Sequence, residues 1–446
     1  MKIGGYKPSY FFNERRSKMK SLDEVNLKMC KYKVGKMIIT IDGGEEYEVS
    51  PIAVGDILID KDFDQYQLPF FRMTLGVPNI FFRKMKKKND KLSAYVQIKK
   101  GYFELDKTTG ESIGDPMESN YIADNFVLFM EDTSPQITED LEEIIEQNTP
   151  NFDKDVPDFE NLTTLEILLY RKEDLNIIKQ NPMKVYYKAN LIDVLTHYLN
   201  MCGVKNILCS PPDGNTHVYE EYIIPPLRVD EQILRICTDF GMHKYGTTLF
   251  FDFERRYIIN KINKCTAWYP NEYKKIYMIN PPLASQFSTI VQGCAYESDK
   301  CGYCTIRDVV ADSFSMEKEQ VFGSKMQILD KKTGVFEEIA PENTTVDGGG
   351  KSSRYMVSYD GDASTMHALK QRLEEEALTM KVCIDNADLT MLEPNKEYQL
   401  VFLDSKLSKY NGAYRLSKYT CTFRRNDREW YSPTIFAVFL GKKPKN

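Results

Sequence analysis

Residues Gln67 to Phe103 read QLPFFRMTLGVPNIFFRKMKKKNDKLSAYVQIKKGYF, and this stretch decides the predicted fold. Its two ends, Gln67 to Leu75 and Ser93 to Phe103, are rich in the aromatic and β-branched residues that favour β-strands. Between them, Pro78 can occupy the first turn of a short helix, because the N–H that proline lacks would be unpaired there in any case. The stretch therefore predicts a strand, a short helix and a long strand in succession.

The same order is predicted again near the other end of the chain. RYMVSY, Arg354 to Tyr359, has a strand pattern, and STMHALKQRLEEEAL, Ser364 to Leu378, has the apolar stripe of a helix. Long strand-like runs follow it, so the order recurs between Arg354 and Phe423, which indicates a repeated architecture. Other strand-like runs are KMIITI, DILID, KVCIDN, YQLVFLD, GAYRLSKYTCTF and PTIFAVFL.

The region between these two parts has the clearest helical periodicity. NLIDVLTHYLNMCG begins with Asn190 as a cap and ends at Gly203, which suits a left-handed stop. VDEQILRICTDFG repeats the design, with Asp230 as its cap and Gly241 as its stop. The predicted apolar stripes are Leu191, Val194, Leu195, Tyr198 and Cys202 in the first helix, and Ile233, Leu234, Cys237 and Phe240 in the second. Paired strands are predicted over Thr247 to Asn260.

Composition indicates a globular protein large enough for several domains. The chain has 446 residues, 42% of them hydrophobic and 28% charged, and single cores rarely extend beyond about 250 to 300 residues. A net charge of −6 argues against a dedicated nucleic-acid binder. No apolar run approaches the roughly 20 residues that cross a bilayer, so we expect no membrane-spanning segment. The ten cysteines are expected to be reduced core residues.

Two charged segments have no role in the predicted core. Glu131 to Glu160 is acidic and contains prolines, so it can bury little apolar surface and is interpreted as a linker. RKMKKKNDK, Arg83 to Lys91, is strongly basic. It is interpreted as a solvated helix end, with an electrostatic docking patch as the alternative.

VDGGGKSS, Val346 to Ser353, raises the question of a phosphate-binding loop. Such a loop needs G-x-x-x-x-G-K-[ST] before a helix. Gly350, Lys351 and Ser352 fit the end of this motif, but Thr345 occupies the position of its first glycine, and a strand pattern follows. We interpret the stretch as a flexible connector.

Candidate metal and catalytic residues are few. GCAYESDKCGYC brings Cys294, Cys301 and Cys304 close in sequence, and a Cys-x-x-Cys pair can bind one tetrahedral zinc ion. No fourth ligand lies nearby, although Cys265 or a distant histidine could supply one, so metal binding stays open. The histidines are too dispersed for a catalytic or metal cluster: His197, His217, His243 and His367. No catalytic, cofactor-binding or metal site is predicted.

Several motifs together resemble one protein family. The segment Val185 to Asn260, with IDVLTHYL, EEYIIPPL, ILRICTDFG and LFFDFERRYII, is similar to the middle domain of phage baseplate central hub proteins, which include the late control D and VgrG-like hubs of contractile tails. Gln67 to Phe103 resembles the first tube-like β domain of such hubs. The stretch from Ala368 to Phe423 resembles the second, including its closing GAYRLSK strand.

The resemblance implies an α+β, predominantly β fold, with two tube-like antiparallel β-barrel domains flanking an α+β middle domain. The implied division is 1–130 for the first tube-like β domain with an N-terminal arm, 131–160 for the acidic linker, 161–282 for the α+β middle domain, 283–353 for a loop-rich connecting segment, and 354–446 for the second tube-like β domain.

It also implies a function. A homotrimer with two similar β domains per subunit places six near-equivalent units around a channel, so it can join a sixfold tail tube to a threefold spike. The expected protein is a non-enzymatic structural component of the virion tail baseplate, assembled in the host cytoplasm, with no cofactor. Its expected partners are the tail tube protein, the central spike protein and other baseplate proteins, while DNA passes through the channel without sequence-specific binding.

Two other functions remain as alternatives. A tail-associated peptidoglycan hydrolase would need a paired carboxylate or Cys/His site, and the one unassigned block of any size is about Cys265 to Gly348. A zinc-stabilised interaction protein would use Cys301 and Cys304 as ligands.

Overall fold

A computed structural model of the chain describes residues 26–42, 44–63, 70–88, 91–106, 109, 111–131, 162–209, 218–239, 248–251, 256–259, 274–279, 294–298, 301–313, 326–330, 335–339, 356–357, 378–392, 397–425 and 429–441.

The described residues are mostly β-strands. The strands are β1 Lys28–Ile41, β2 Glu45–Glu48, β3 Val54–Asp62, β4 Phe70–Pro78, β5 Leu92–Leu105, β6 Ser112–Glu131, β7 Leu162–Tyr170, β8 Lys184–Ala189, β9 Ile207–Cys209, β10 Tyr219–Ile224, β11 Thr248–Phe251, β12 Arg256–Ile259, β13 Lys274–Ile279, β14 Cys294–Ser298, β15 Cys301–Ser313, β16 Met326–Asp330, β17 Val335–Ile339, β18 Met356–Val357, β19 Leu378–Asp385, β20 Glu397–Phe402, β21 Gly412–Arg425 and β22 Tyr431–Gly441. The helices are α1 Asn79–Lys87, α2 Lys172–Lys179, α3 Leu191–Met201 and α4 Val229–Asp239. The prediction of a predominantly β fold is confirmed.

In the described part of the chain, fourteen strands form one sheet. Its order is β13-β20-β21-β22-β19-β15-β14-β1-β5-β6-β7-β4-β3, with β2 paired to β1. Further pairings join β13 to β15 and β3 to β21. β13 runs parallel to both β15 and β20, while the other pairs of this sheet are antiparallel. These additional pairings close the strand order into rings. They also connect strands from both ends of the sequence.

Side chains from the strands of this sheet form one hydrophobic core. It combines side chains of the first 170 residues with side chains after residue 274, including the fully buried Ile39, Val96 and Phe439. Alternation explains how the strands supply them: along β22, every second residue from Tyr431 to Gly441 is buried. Burial of each large apolar side chain stabilises the fold by about 1.5–3 kcal/mol. The two ends of the chain thus fold around the same core.

The middle of the chain has a second core between helices and the β8–β10 pair. The predicted stripe of α3 is confirmed, because all five of its residues are buried. The cap is confirmed as well: the Asp193 N–H donates to the Asn190 side chain over 2.8 Å. Gly203 ends the helix with φ +84°, a left-handed conformation that glycine adopts without strain.

The second predicted helix needs a correction at its start. α4 begins at Val229, so Asp230 lies inside the first turn and is not the cap. Instead, Glu231 accepts from the Arg228 N–H over 3.3 Å, as the glutamate of a capping box does. Ile233 of the predicted stripe is buried. Gly241 and the side chains of Leu234, Cys237 and Phe240 lie outside the described residues.

The predicted strands are confirmed wherever the structure describes them, and most of them are longer than predicted. KMIITI lies inside β1. The paired strands predicted over Thr247 to Asn260 are the antiparallel strands β11 and β12. α1 is the short helix expected after Gln67 to Leu75, but Pro78 ends β4 and precedes the first turn. The helix predicted over Ser364 to Leu378 lies outside the described residues except Leu378, which begins β19.

Strand pairing also bears on the predicted middle segment, 161–282. β7 at its start pairs with β4 and β6, and β13 near its end pairs with β15 and β20. Both belong to the fourteen-stranded sheet. The predicted linker lies outside the described residues after Glu131. No helix in the described ranges is long and apolar enough to span a membrane.

Trp430 anchors the turn between β21 and β22 on the first part of the chain. Its ring lies edge-on to Phe103, with centroids 5.0 Å apart, and the Lys33 ammonium sits 4.8 Å from the indole centroid. Gly101 makes this approach possible, because a Cβ at residue 101 would lie 2.6 Å from the indole. A glycine is therefore required for steric reasons.

We expect Gly101→Ala to lower the free energy of unfolding by about 1–3 kcal/mol, since the added methyl group must displace a packed indole. Denaturant unfolding measures the change. Gly44→Ala is the matched control, because a Cβ there meets nothing within 4 Å. In a Trp430→Ala background the Gly101→Ala effect should largely disappear; an undiminished effect would contradict the steric explanation.

Candidate assembly interface

Asp388 is the centre of a buried polar cluster that joins the two ends of the chain. It follows β19 and is 1% exposed. Its Oδ2 accepts from Lys100 Nζ of β5 over 3.0 Å, from Thr390 Oγ1 over 2.6 Å and from the Tyr102 hydroxyl. Its Oδ1 accepts from the Thr390 N–H over 2.9 Å and from Tyr32 of β1 over 3.4 Å. A turn of the C-terminal part is thus bonded to two strands of the N-terminal part.

The charge of Asp388 depends on this cluster. Burial alone would raise the pKa of the carboxyl, but the Lys100 charge and the hydrogen bonds from Thr390 and Tyr102 outweigh burial and hold that pKa below its usual 3.8. Burial also raises the pKa of Tyr32 well above 10.0, so the phenol stays neutral. The Tyr32 hydroxyl therefore keeps its proton for donation to Asp388, while accepting from the Leu389 N–H over 2.9 Å.

Arg425 makes a second connection between the two ends. Its Nη1 donates to the Ile52 carbonyl over 2.7 Å, and its Nη2 donates to the carbonyls of Pro51 and Val54, each over 2.5 Å. The Tyr431 hydroxyl also donates to the Val54 carbonyl, over 2.7 Å. One guanidinium therefore satisfies the backbone of the turn that leads into β3.

No local sequence pattern indicates these two clusters. Lys100 and Asp388 are 288 positions apart, and Arg425 is 371 positions from Val54. A search for motifs reads spacing within one segment, so it identifies neither group.

The outer face of β22 carries exposed apolar surface. Phe436 is 52% exposed and lies between Cys383 of β19 and Thr420 of β21. Val438 and Leu440 occupy the same face of the strand and are partly exposed. Ion pairs lie beside this surface: Lys381 with Asp312 over 2.6 Å, and Arg307 with Asp385 over 2.7 Å. An apolar centre with a charged rim is typical of a protein–protein interface.

A second exposed apolar surface lies on the β8–β10 pair. Tyr187 is 71% exposed and Ile223 57%, and the register places Val185 opposite Ile223 on that face. Met183, just before β8, is also exposed. The opposite face packs on the helices of the second core. Exposed patches of this kind mark contact sites in soluble proteins.

Of the four histidines in the sequence, His197 is the one that the structure describes. Its Nε2 is 3.2 Å from Lys184 Nζ and its Nδ1 is 2.8 Å from the Tyr186 hydroxyl. An ammonium only donates, so Nε2 is the acceptor and Nδ1 carries the proton. Desolvation and the Lys184 charge lower the His197 pKa, which favours this neutral form. The residue helps to position α3 on β8, while His217, His243 and His367 lie outside the described residues.

Six cysteines are described with their side chains, and all six are free thiols. Five are buried, and burial raises the pKa of Cys202 to about 11, so these thiols are poor nucleophiles. Cys304 Sγ lies 3.2 Å from Met278 Sδ inside the core. The side chains of Cys294 on β14 and Cys301 on β15 lie outside the described residues. No metal-binding group of His, Cys, Asp or Glu occurs among the described residues.

The structure describes one of the remaining sequence motifs, the basic run, and leaves the others largely outside the described residues. The basic run from Arg83 forms the second half and the end of α1, as the helix-end interpretation expects. Gly350, Lys351 and Ser352 lie outside the described residues, as does most of the block from Cys265 to Gly348.

Comparison with known proteins gives a family. A family model described as Bacteriophage PBS1 gene 109 protein matches residues 22–431, which is most of the chain. The chain belongs to this family. The predicted resemblance to a phage tail protein of the baseplate hub type is confirmed for this member of the gene 109 family. A comparison with curated protein sequences finds no match.

Solved structures similar to this gene 109 family member are distant in sequence. A tail protein from Neisseria meningitidis MC58 is 9% identical with a TM-score of 0.48, over 91% of this chain and 96% of that one. The 43 kDa tail protein of prophage MuSo2 from Shewanella oneidensis is 10% identical with a TM-score of 0.44, over 90% and 97%. The lidded Francisella PdpA–VgrG complex is 8% identical with a TM-score of 0.47, over 94% and 54%.

We expect Asp388→Asn to lower the free energy of unfolding by about 3–5 kcal/mol, because it leaves the Lys100 ammonium, whose side chain is only 14% exposed, without its counter-charge. Asp312→Asn is the matched control, since it breaks an exposed pair with Lys381 and should cost at most about 1 kcal/mol. Denaturant unfolding of both variants makes the comparison. Equal losses would show that the Asp388 cluster does not hold the two ends together.

The same cluster predicts a pH dependence. The pKa of Asp388 is lower in the folded state than its usual 3.8, so the carboxylate's contribution is complete above about pH 4. It is lost as the pH falls through the lower, folded-state value. Thermal unfolding from pH 7 down to pH 2 should therefore show a steeper acid loss in the wild type than in Asp388→Asn. Identical slopes would contradict the assignment.

Proposed function

We propose that this phage tail protein is the central hub of the baseplate, a homotrimer that joins the sixfold tail tube to the threefold central spike and forms part of the tail channel. Membership of the gene 109 family carries the assignment to a bacteriophage, and the hub-like motifs between Val185 and Asn260 support a place in the tail. The strand pairing supports the finer proposal of a hub.

The pairing supports two β domains per subunit. One group of six strands follows the order β1-β5-β6-β7-β4-β3, and the other follows β15-β19-β22-β21-β20-β13. In the second group, the β13–β15 pair closes the circuit. We propose that these groups are the two tube-like domains, with an α+β middle domain built on the β8–β10 pair and its helices between them. Segment 131–160 and the part of 283–353 outside β14 and β15 would be the connections.

This number of domains addresses a symmetry mismatch. A sixfold tube and a threefold spike cannot make identical contacts with one set of three subunits. Two six-stranded groups in each of three subunits supply six similar units on one side and three contacts on the other. The Asp388 and Arg425 clusters support this role, because they hold the two groups of one subunit in a fixed relation.

We propose that the outer face of β22 is a contact between subunits. Phe436 is 52% exposed in the single chain, although burial of an aromatic side chain is stabilising. A neighbouring subunit would cover it. The Lys381–Asp312 and Arg307–Asp385 pairs would form the polar rim of that contact.

The remaining parts of the proposal concern partners and location. The function would lie in interfaces with the tail tube protein, the central spike protein and other baseplate proteins, without an enzymatic site. DNA would pass through the channel without sequence-specific binding. The protein would act in the virion tail after assembly in the host cytoplasm. A zymogram on bacterial cell walls tests the non-enzymatic assignment directly, since lysis would contradict it.

Light scattering after size exclusion tests the oligomer. We expect a mass about three times the 51.8 kDa of one chain, and a ring with threefold symmetry in electron microscopy. Phe436→Asp should convert this species to monomers, because a carboxylate cannot be buried at the contact without a partner.

Ile80→Asp is the matched control, because Ile80 on α1 is 55% exposed and lies away from β22 in sequence and pairing. That variant should stay trimeric. A monomeric wild type would overturn the hub proposal, whereas a trimer that Phe436→Asp leaves intact would overturn only the assignment of β22 to the contact.

A further inference from the structure

α1 has one buried side and one strongly cationic side. Phe81 and Met85 are buried and fix the helix on the sheet. The side chains of Lys84, Lys86, Lys87 and Lys88 are exposed at its end. Cations in the last turn interact favourably with the helix dipole. The dipole explains why lysines suit this position, but it leaves most of their charge facing solvent.

Carboxylates of the β1–β2 hairpin neutralise part of this charge. Lys84 pairs with Glu45 over 2.5 Å, and Lys88 and Lys91 both pair with Asp42, over 3.2 and 3.4 Å. These three lysines are about half exposed, so the pairs are solvated. Lys86 and Lys87 have no carboxylate partner within the described ranges. The end of α1 therefore retains an excess of positive charge.

The opposite charge is concentrated in one segment of the same chain. Residues 132–161 contain ten carboxylates and a single cation, Lys154. Like charges this close in sequence repel one another, so a cationic surface within reach would stabilise them.

The sheet directs both ends of this segment towards α1. Leu162 begins β7 and is the register partner of Pro78, the residue just before α1. Thr163 Oγ1 donates to the Asn79 side chain at the first turn of the helix. At the other end, Glu131 is the partner of Glu166, and β6 is antiparallel to β7, so the chain leaves β6 in the direction of Leu162.

The distances are short enough for contact. α1 has nine residues and is therefore about 13 Å long, at roughly 1.5 Å per residue. An extended chain covers the same length in about four residues, at roughly 3.3 Å each. Asp158 is four residues before Leu162. Its carboxylate and those before it can reach the last turn of the helix without any rearrangement of the described strands.

Another lysine-rich surface in the molecule fits less well. Lys33 and Lys99 on β1 and β5 already share Glu118, at 2.5 and 3.6 Å. Lys99 is the register partner of Asn120, eleven residues before the end of β6, which is about 36 Å away along the strand. Proximity and unpaired charge both favour α1.

We propose that the carboxylates of residues 132–161 bind the cationic surface formed by Lys84, Lys86, Lys87 and Lys88 of the same chain. This contact neutralises positive charge at the end of α1. It also holds the acidic segment close to the ends of β6 and β7, the strands that flank it in sequence. It gives the basic run a docking role, with a segment of its own chain as the partner. The inference does not depend on the hub proposal, because it concerns a single chain.

Zero-length carbodiimide cross-linking of the full-length protein, followed by peptide mass spectrometry, tests the contact. We expect amide links between the four lysines and carboxylates of 132–161. They should disappear between about 0.1 and 1 M NaCl, where the Debye length falls from roughly 10 to 3 Å. In a mixture of isotope-labelled and unlabelled chains, the links should join peptides of the same label.

Two charge-reversal variants provide the comparison. Lys86→Glu/Lys87→Glu should abolish the links from Lys84 and Lys88 to the segment. Lys406→Glu/Lys409→Glu changes the net charge equally at two exposed lysines of another turn and should leave them unchanged. The proposal is overturned if wild-type links at α1 are no more frequent than at Lys406 and Lys409. Links that join differently labelled peptides would also overturn it, since they would place the segment on a second copy.

Discussion

The buried Asp388 carboxylate constrains the fold because its partners come from both ends of the chain. It is 1% exposed, and its charge is acceptable there because the partly buried Lys100 ammonium and several hydrogen-bond donors surround it. Those donors come from β1, β5 and the turn after β19. The carboxylate is satisfied when both ends of the chain are in place together. Its burial therefore makes the N-terminal strands and the C-terminal strands fold as one body.

Other features of the sheet follow from this requirement. The β21–β3 ladder joins the same two parts by main-chain pairing, and Arg425 satisfies the turn at its edge. Trp430 then packs on Gly101, where any side chain would obstruct it. Hydrogen bonds give these contacts their geometry, and the shared apolar core gives them most of their stability. The β8–β10 pair and its helices keep a separate core.

The described residues also carry surfaces suited to contacts with other proteins. These are apolar area on β22 and on β8–β10, together with the charged end of α1. Apolar area suits permanent contacts between subunits, whereas solvated charge gives weaker contacts that depend on salt. Both kinds of surface are present on this member of the bacteriophage gene 109 family.

The sequence by itself determined the local strands and helices, because hydrophobic periodicity and helix capping are properties of short segments. The strands, α3 with its Asn190 cap and Gly203 stop, and the helix after β4 were all predictable in this way. The resemblance to baseplate hubs added the family. Only the tertiary structure decided which strands pair, that β13 runs parallel to its neighbours, and that Lys100, Asp388 and Arg425 connect the two ends. The Lys100–Asp388 and Arg425–Val54 contacts join residues hundreds of positions apart. Strand pairing depends on how complete elements pack, and the pattern within one segment does not record this.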